Sequence, residues 1–106
     1  MKIEFEKKYL RELYETGKTI DKKYSFHPQV VNGYIKCIRV FQLAIRIDDL
    51  FLIKSLNYEK LKGDKKGLSF VRINNQYSLE FREISNQNNL FEIEICSLTD
   101  ITNHYK

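Results

Sequence analysis

The 106-residue chain is poor in the residues that define several common protein classes, with two cysteines, one proline, four glycines and no tryptophan. Two isolated cysteines, Cys37 and Cys96, do not make the disulfide framework of a small secreted protein, and no secretory segment precedes them. We therefore expect both to be buried, free thiols in a reducing cytoplasm. No apolar run reaches the length needed to cross a bilayer, so we expect no membrane contact.

Metal ligands are also sparse. The two histidines, His27 and His104, lie far apart in the sequence, and no clustered pattern of Cys, Asp and Glu accompanies either of them. Zinc and calcium sites draw several ligands from such clusters. We therefore expect no metal and no cofactor. Among the functions that a small basic protein could have, a metal-dependent nuclease is the least favoured.

The composition that remains is that of a folded protein with a local excess of positive charge. Hydrophobic residues make up 42% and charged residues 30%, which predicts a single domain over residues 1–106. The formal net charge is +4. The stretch from Lys54 to Arg72 holds six basic and two acidic residues, and so carries an excess equal to that of the whole chain. Such a cluster is typical of a surface that faces phosphates, although a solvated lysine-rich loop has the same composition.

Hydrophobic periodicity predicts helices in the first half of the chain. Gly17 is a natural stop for the first helix, and Pro28 suits the first turn of the second, where its missing N–H costs nothing. The expected elements are a short edge strand at residues 2–5, a helix at about 6–16, a helix from Pro28 to near Arg46, and a short turn from Asp48 and Asp49 towards Leu56.

The second half alternates with the period of β-strands. The alternation predicts strands at about residues 68–73, 77–82 and 91–96, joined by turns at 74–76 and 85–89. Helices followed by strands indicate an α+β class, with N-terminal helices packed on an antiparallel β-sheet. The helices should cover one face of the sheet, which leaves the other face partly open to hold a site.

One stretch resembles a known family. From Leu61 to Tyr77 the sequence reads LKGDKKGLSFVRINNQY. It is similar to the HigB-like toxins of the RelE superfamily, in which Leu and Lys-Gly-Asp lead through a second glycine into a strand with Arg and Asn, and an aromatic residue opens the next strand. The segments from Phe5 to Gly17 and from Asp100 to Lys106 resemble the two ends of the same family, so the likeness covers nearly the whole chain.

The resemblance implies a fold, an activity and partners. The fold would be that of the RelE-like microbial ribonucleases. The activity would be metal-free cleavage of mRNA on the translating ribosome, as the toxin of a type II toxin-antitoxin system in the cytoplasm. The partner would be a HigA-like helix-turn-helix antitoxin. The antitoxin would bind DNA, and the chain would contact DNA only indirectly through it.

The resemblance also implies a set of site residues. Metal-free RNA cleavage needs a group that accepts a proton from the 2′-OH, cations that stabilise the phosphate, and a donor for the leaving 5′ oxygen. Arginine suits a two-pronged phosphate grip, lysine a point charge, and histidine proton transfer. The catalytic candidates are Lys62, Arg72, Ser78, Asp100 and His104, and the RNA-binding candidates are Lys60, Lys65, Lys66 and Tyr105. Glu59 stands where relatives often carry histidine, and a carboxylate there suits a base.

Each of these residues also has a structural interpretation. Lys62 is one of many surface lysines, and a histidine near the end of a chain is commonly solvated. Arg72 in mid-strand is placed to form a cross-strand ion pair with Glu80. Asp100 could assist catalysis or simply cap the C-terminal segment.

Ser78 is a departure from the family pattern. Relatives usually carry an arginine directly after the aromatic residue that opens the strand, and that side chain binds the scissile phosphate. Here the triplet is Tyr77-Ser78-Leu79, and serine is short and neutral. Three explanations are open: the activity of this chain is naturally weak, another cation compensates for the missing arginine, or the sequence was altered to make the protein less toxic. The alternative function is a catalytically weak or inactive binding module that retains its antitoxin and RNA contacts.

Overall fold

The computed structural model describes residues 1–60, 67–84 and 95–103. Within these ranges, helices pack on one face of a five-stranded sheet, which confirms the α+β class. No helix in them is long and apolar enough to cross a bilayer. In chain order the elements are β1 (Lys2–Phe5), α1 (Lys8–Thr16), α2 (Pro28–Leu43), α3 (Asp48–Phe51), β2 (Glu59–Lys60), β3 (Leu68–Arg72), β4 (Tyr77–Ile84) and β5 (Ile95–Asn103), with 3₁₀ turns at Lys22–Tyr24 and Lys54–Leu56.

The end of α1 and the start of α2 lie where local chemistry predicts. Gly17 follows α1 with a positive φ of 76°, and its N–H donates to the carbonyl of Leu13 at 2.9 Å. Pro28 opens α2, and His27 caps it by accepting a hydrogen bond at Nδ1 from the N–H of Gln29. These caps satisfy backbone groups that a helix end otherwise leaves without partners.

Helix α2 ends at Leu43, three residues before the predicted end near Arg46. The carboxylate of Asp49 accepts hydrogen bonds from the N–H groups of Ile45 and Arg46, which turns the chain into α3. Ile45 keeps the helical spacing in the sequence but is 75% exposed, so its match to the apolar pattern was accidental.

The core lies between the two long helices and the sheet. Leu10 and Leu13 of α1, with Tyr34, Ile38 and Phe41 of α2, are fully buried or nearly so. From the sheet, the buried partners are Val71, Leu79, Phe81, Cys96 and Leu98. Both cysteines are free and buried, as predicted.

One glycine allows α2 to approach the sheet closely. A Cβ on Gly33 would lie 2.8 Å from Cγ2 of Ile73 and 3.1 Å from its carbonyl oxygen. Both distances are shorter than normal contacts, so a side chain at this crossing would force Ile73 to shift. Because Ile73 directly follows Arg72, the close approach fixes the end of β3 on which a candidate site residue sits.

The sheet is mixed rather than wholly antiparallel. Its order is β1-β5-β4-β3-β2. The three predicted strands β3, β4 and β5 pair antiparallel as expected, and β2, which the sequence pattern did not predict, adds an antiparallel edge strand next to β3. The N-terminal strand β1 is an edge strand, as expected, but it pairs parallel to β5. The helices between the two strands supply the long connection that a parallel pair requires.

The hairpin between β3 and β4 confirms the predicted turn at residues 74–76. The side-chain oxygen of Asn74 accepts from the N–H groups of Gln76 and Tyr77, at 2.9 and 2.7 Å. The N–H of Ile73 donates to the carbonyl of Tyr77 at 2.9 Å. This turn sets the register in which Arg72 lies opposite Ser78.

The last strand extends further than the sequence pattern predicted. The alternation predicted a strand over residues 91–96, whereas the described strand β5 continues to Asn103. The register between β4 and β5 shifts at Glu80 and Phe81 of β4, since Phe81 pairs with Leu98 whereas Glu80 pairs with Asp100. The turn predicted at 85–89 and the start of the predicted strand lie outside the described residues.

Candidate functional site

A cleft of about 430 Å³ opens over β2, β3 and the start of β4. Among the described residues its lining combines polar and charged side chains with two aromatic rings, of which Tyr58 packs against the hydrophobic core and Phe70 does not. The residues that line it are Asn57, Tyr58, Glu59, Phe70, Val71, Arg72 and Ser78.

Arg72 and Ser78 share this cleft because they are directly paired across β3 and β4. The hairpin therefore brings the two residues to one face of the sheet. Arg72 is exposed, whereas Ser78 is only 6% exposed. The cleft thus holds one cation at this pair, next to a small neutral side chain.

The structure does not support the alternative in which Arg72 pairs with Glu80. Glu80 lies opposite Phe70 rather than Arg72, and its carboxylate accepts a hydrogen bond from Thr99 at 2.6 Å. Within the described ranges, Arg72 forms no salt bridge. Its guanidinium is exposed and can meet an anion.

Glu59 brings a carboxylate to the same cleft. In the β2–β3 register it is the partner of Phe70, and directly paired residues point to the same side of a sheet. Residues two apart on a strand also share a side, so Phe70 and Arg72 face the same way. The carboxylate, the ring and the guanidinium therefore lie on the face that the helices leave open, with Phe70 next to both Glu59 and Arg72.

The position of β3 beneath the cleft is held by a buried thiol. The Sγ of Cys37 in α2 donates to the carbonyl oxygen of Arg72 at 3.7 Å. Burial raises the pKa of the Cys37 thiol to about 12, so the proton that makes this contact is retained at neutral pH. Together with Gly33, this contact ties Arg72 to helix α2.

Lys60 lies beside the cleft but does not line it. Its ammonium is 3.4 Å from the Glu83 carboxylate, which also accepts a hydrogen bond from Ser69 at 2.9 Å. Ser69 in turn lies 3.3 Å from the hydroxyl of Tyr58. The Lys60 side chain is 60% exposed, so its ion pair is weak and leaves the ammonium accessible.

Asp100 lies away from the cleft, in contacts with the N-terminal part of the chain. It accepts hydrogen bonds from the hydroxyl of Tyr9 and from the N–H of Ile101, and its carboxylate is 3.2 Å from the ammonium of Lys7. Burial, and then the bond to Asp100, raise the pKa of Tyr9 far above its usual value, so this hydroxyl remains a donor. The structure therefore does not bring Asp100 together with Arg72 and Ser78.

The remaining candidates, Lys62, Lys65, Lys66, His104 and Tyr105, lie outside the described residues. Sequence reasoning did not include Phe70 or Asn57 in the site. The signal for Phe70 was its spacing of two from Arg72, which puts both side chains on one face of a strand. Asn57 has a positive φ of 46°, a local turn conformation that its sequence neighbours do not reveal.

A larger groove of about 520 Å³ lies elsewhere, between the end of α1 and the start of α2. Its walls are mainly apolar, with Leu13, Phe26, Val31 and Ile35 among them. Lys18 is the one titratable side chain among its described lining residues, so we place the chemistry in the smaller, polar cleft. Within the described residues no three His, Cys, Asp or Glu side chains are grouped as metal ligands.

Comparison with known proteins agrees with this geometry. The family described as the RelE-like toxin of type II toxin-antitoxin system HigB matches residues 3–93. The chain belongs to the HigB-like toxins of the RelE superfamily. Toxin HigB-1 of Vibrio cholerae serotype O1 is 30% identical over 83 residues, which are 77% of this chain and 83% of that relative.

A solved structure shares the fold of this chain. The YoeB/ParE toxin from Agrobacterium tumefaciens superimposes with a TM-score of 0.57 over 99% of this chain and 100% of that one, at 18% identity. As a HigB-like protein, the chain is the toxin of a type II toxin-antitoxin system, which implies an antitoxin partner.

Proposed function

We propose that the chain is a ribosome-dependent endoribonuclease that cleaves mRNA without a metal ion and so inhibits translation. The observation that carries the proposal is the open cleft in which the Arg72 guanidinium and the Glu59 carboxylate face the same side of the sheet. A cation for the phosphate and a carboxylate for the proton are two of the three groups that this chemistry needs.

In the proposed reaction, the 2′ oxygen attacks the adjacent phosphorus and gives its proton to Glu59. Negative charge grows on the phosphate oxygens, where Arg72 can donate two parallel hydrogen bonds. The bond from phosphorus to the 5′ oxygen then breaks, and that oxygen takes up a proton. The products are a 2′,3′-cyclic phosphate and a free 5′ hydroxyl, so atoms and charges balance.

The third group is assigned by the family resemblance. His104 is the proposed donor to the leaving oxygen, because imidazole titrates near neutral pH. Lys62 is the proposed second cation at the phosphate, and Lys60, Lys65, Lys66 and Tyr105 the proposed contacts with flanking RNA. For Asp100 we propose a structural role, since its described contacts tie β5 to α1 and to the residue that precedes it.

The second candidate function is a binding module with weak or no turnover. The observation that favours it is Ser78, a buried neutral residue directly opposite Arg72. Two cations on one phosphate stabilise its developing charge better than one. In this alternative the chain keeps its antitoxin and RNA contacts but cleaves slowly.

The proposed partner is a HigA-like helix-turn-helix antitoxin, and the proposed contact with DNA runs only through it. Exposed apolar side chains near the α2–α3 corner, such as Leu43 at 85% and Leu52 at 81%, are of the kind that a partner covers. Because the substrate is mRNA on ribosomes, the proposed location is the cytoplasm. Co-expression with the neighbouring open reading frame, followed by pull-down, tests the partner; a toxin that purifies alone would contradict it.

The activity is tested by translation-coupled cleavage of a reporter mRNA. We expect Glu59→Gln to slow cleavage by about 10²–10⁴-fold as a lost base, and Arg72→Ala by about 10²–10³-fold as a lost charge stabiliser. Arg39→Ala removes an exposed arginine from α2 and serves as the matched control. Cleavage should persist with a chelator that leaves ribosomes intact. Wild-type rates in both cleft variants would contradict the proposed site.

A further inference from the structure

We propose that Phe70 is a stacking platform for a nucleobase next to the phosphate that Arg72 holds. The inference rests on the proposed function and deepens it, because it adds a contact with the base to a site so far described by its contacts with the backbone. The ligand is single-stranded RNA.

The ring of Phe70 is unusual among the described aromatic side chains. All of these but Tyr34 and Phe70 contact another aromatic ring. Tyr34 is fully buried, and its hydroxyl donates to the carbonyl of Leu10 at 2.6 Å, so its role is structural. Phe70 is partly exposed and does not belong to the hydrophobic cluster or to the residues packed against it.

The position of the ring suits a base beside a phosphate. Phe70 precedes Arg72 by two residues on β3, which puts the two side chains on one face at about 6.6 Å along the strand. Glu59 lies directly opposite Phe70 on the neighbouring strand. The flat apolar ring of Phe70 thus lies next to Arg72, which is proposed to bind the phosphate, and next to Glu59, the proposed proton acceptor, inside a mainly polar cleft.

Single-stranded RNA is the ligand that uses all three of these features. Every nucleobase has a flat π face that stacks on an aromatic ring, and removal of such a ring weakens binding by ~1–3 kcal/mol per base. This corresponds to about 5- to 140-fold in affinity. Because stacking does not read base edges, the contact should be tolerant of sequence and should not by itself select a codon.

The test separates the contact with the base from the contact with the backbone. Affinity is measured for a short oligoribonucleotide with 2′-O-methyl sugars, which cannot be cleaved, and for an abasic oligomer with the same backbone. We expect Phe70→Ala to weaken binding of the first by about 5- to 140-fold and to leave the second unchanged. Arg72→Ala should weaken both.

Three controls accompany the measurement. Tyr14→Ala removes a partly exposed aromatic ring that packs on Phe5 and does not line the cleft, and it should leave both affinities unchanged. Phe70→Tyr keeps the flat ring and should keep the preference for bases. Phe70→Leu keeps bulk and folding but loses the ring, so it should behave as Phe70→Ala does.

The outcomes distinguish this inference from the function on which it rests. If Phe70→Ala and Phe70→Leu bound the base-containing oligomer as tightly as the unsubstituted chain, the platform would be refuted while cleavage through Arg72 and Glu59 stood. If the unsubstituted chain bound neither oligomer, this inference would be overturned, whereas the proposed ribosome-dependent cleavage would still be decided by the reporter-mRNA assay.

Discussion

Replacing Ser78 by arginine should convert a slow enzyme into a faster one. Ser78 lies directly opposite Arg72, and Cα atoms of antiparallel partners are about 4.5–5.5 Å apart. An arginine at this position would rise into the same cleft of about 430 Å³ and reach the phosphate from the neighbouring strand. Ser78→Arg therefore adds a second donor to the site of developing charge.

The expected gain follows from measured losses of comparable donors. Removing one preorganised donor to a transition-state oxyanion typically costs about 10²–10³-fold in rate, so adding one in good geometry should return a similar factor. Two costs oppose this gain: like charges directly opposite on a sheet destabilise by about 0.2–1 kcal/mol, and a long side chain at a position that is 6% exposed costs about 1–3 kcal/mol in packing. We therefore expect faster cleavage together with a measurable loss of stability.

The assay induces each form without antitoxin and follows growth arrest and reporter-mRNA cleavage. Ser78→Gln adds length and hydrogen-bonding atoms without charge, and it should not accelerate cleavage. Equal and strong toxicity of the unsubstituted chain and Ser78→Arg would refute the reasoning, since the existing cations would then suffice. An acceleration by Ser78→Gln as large as that by Ser78→Arg would show that charge is not the cause.

Three further predictions concern the framework around the cleft. Gly33→Ala should lower the free energy of unfolding by about 1 kcal/mol, because overpacking against Ile73 at 2.8 Å outweighs the gain in helix propensity; a melting temperature that rises would contradict this close approach. Cys37 should resist thiol reagents at pH 8 in the folded chain and react on unfolding, and ready modification of the native thiol would contradict its burial. Because burial raises the pKa of the folded thiol to about 12, its contribution to stability is present below the ordinary thiol pKa and is lost as pH rises towards 12. Asp100→Ala should destabilise the fold by about 1.5–3 kcal/mol, because it removes the acceptor of the buried Tyr9 hydroxyl, with little change in cleavage per folded molecule. A loss of cleavage at unchanged stability would return Asp100 to the catalytic set.

Local chemistry in the sequence was enough to predict the main elements. Gly17 and Pro28 bound the first two helices because a positive φ and a missing N–H act within one turn of the chain. The turn that begins at Asn74 fixed the β3–β4 register, and with it the pairing of Arg72 and Ser78. The family was evident from the run between Leu61 and Tyr77, because its residues are contiguous.

Tertiary structure decided what depends on residues far apart in the sequence. The parallel pairing of β1 with β5, and the use of Asp100 to bind Tyr9, join residues about ninety positions apart, and no local pattern encodes such contacts. Gly33 and Phe70 acquire their roles for a similar reason, although the spacing of Phe70 from Arg72 is visible in the sequence. A glycine within a helix acquires meaning only when another chain segment lies against it, and a strand phenylalanine becomes a binding surface only when the helices pack on the opposite face.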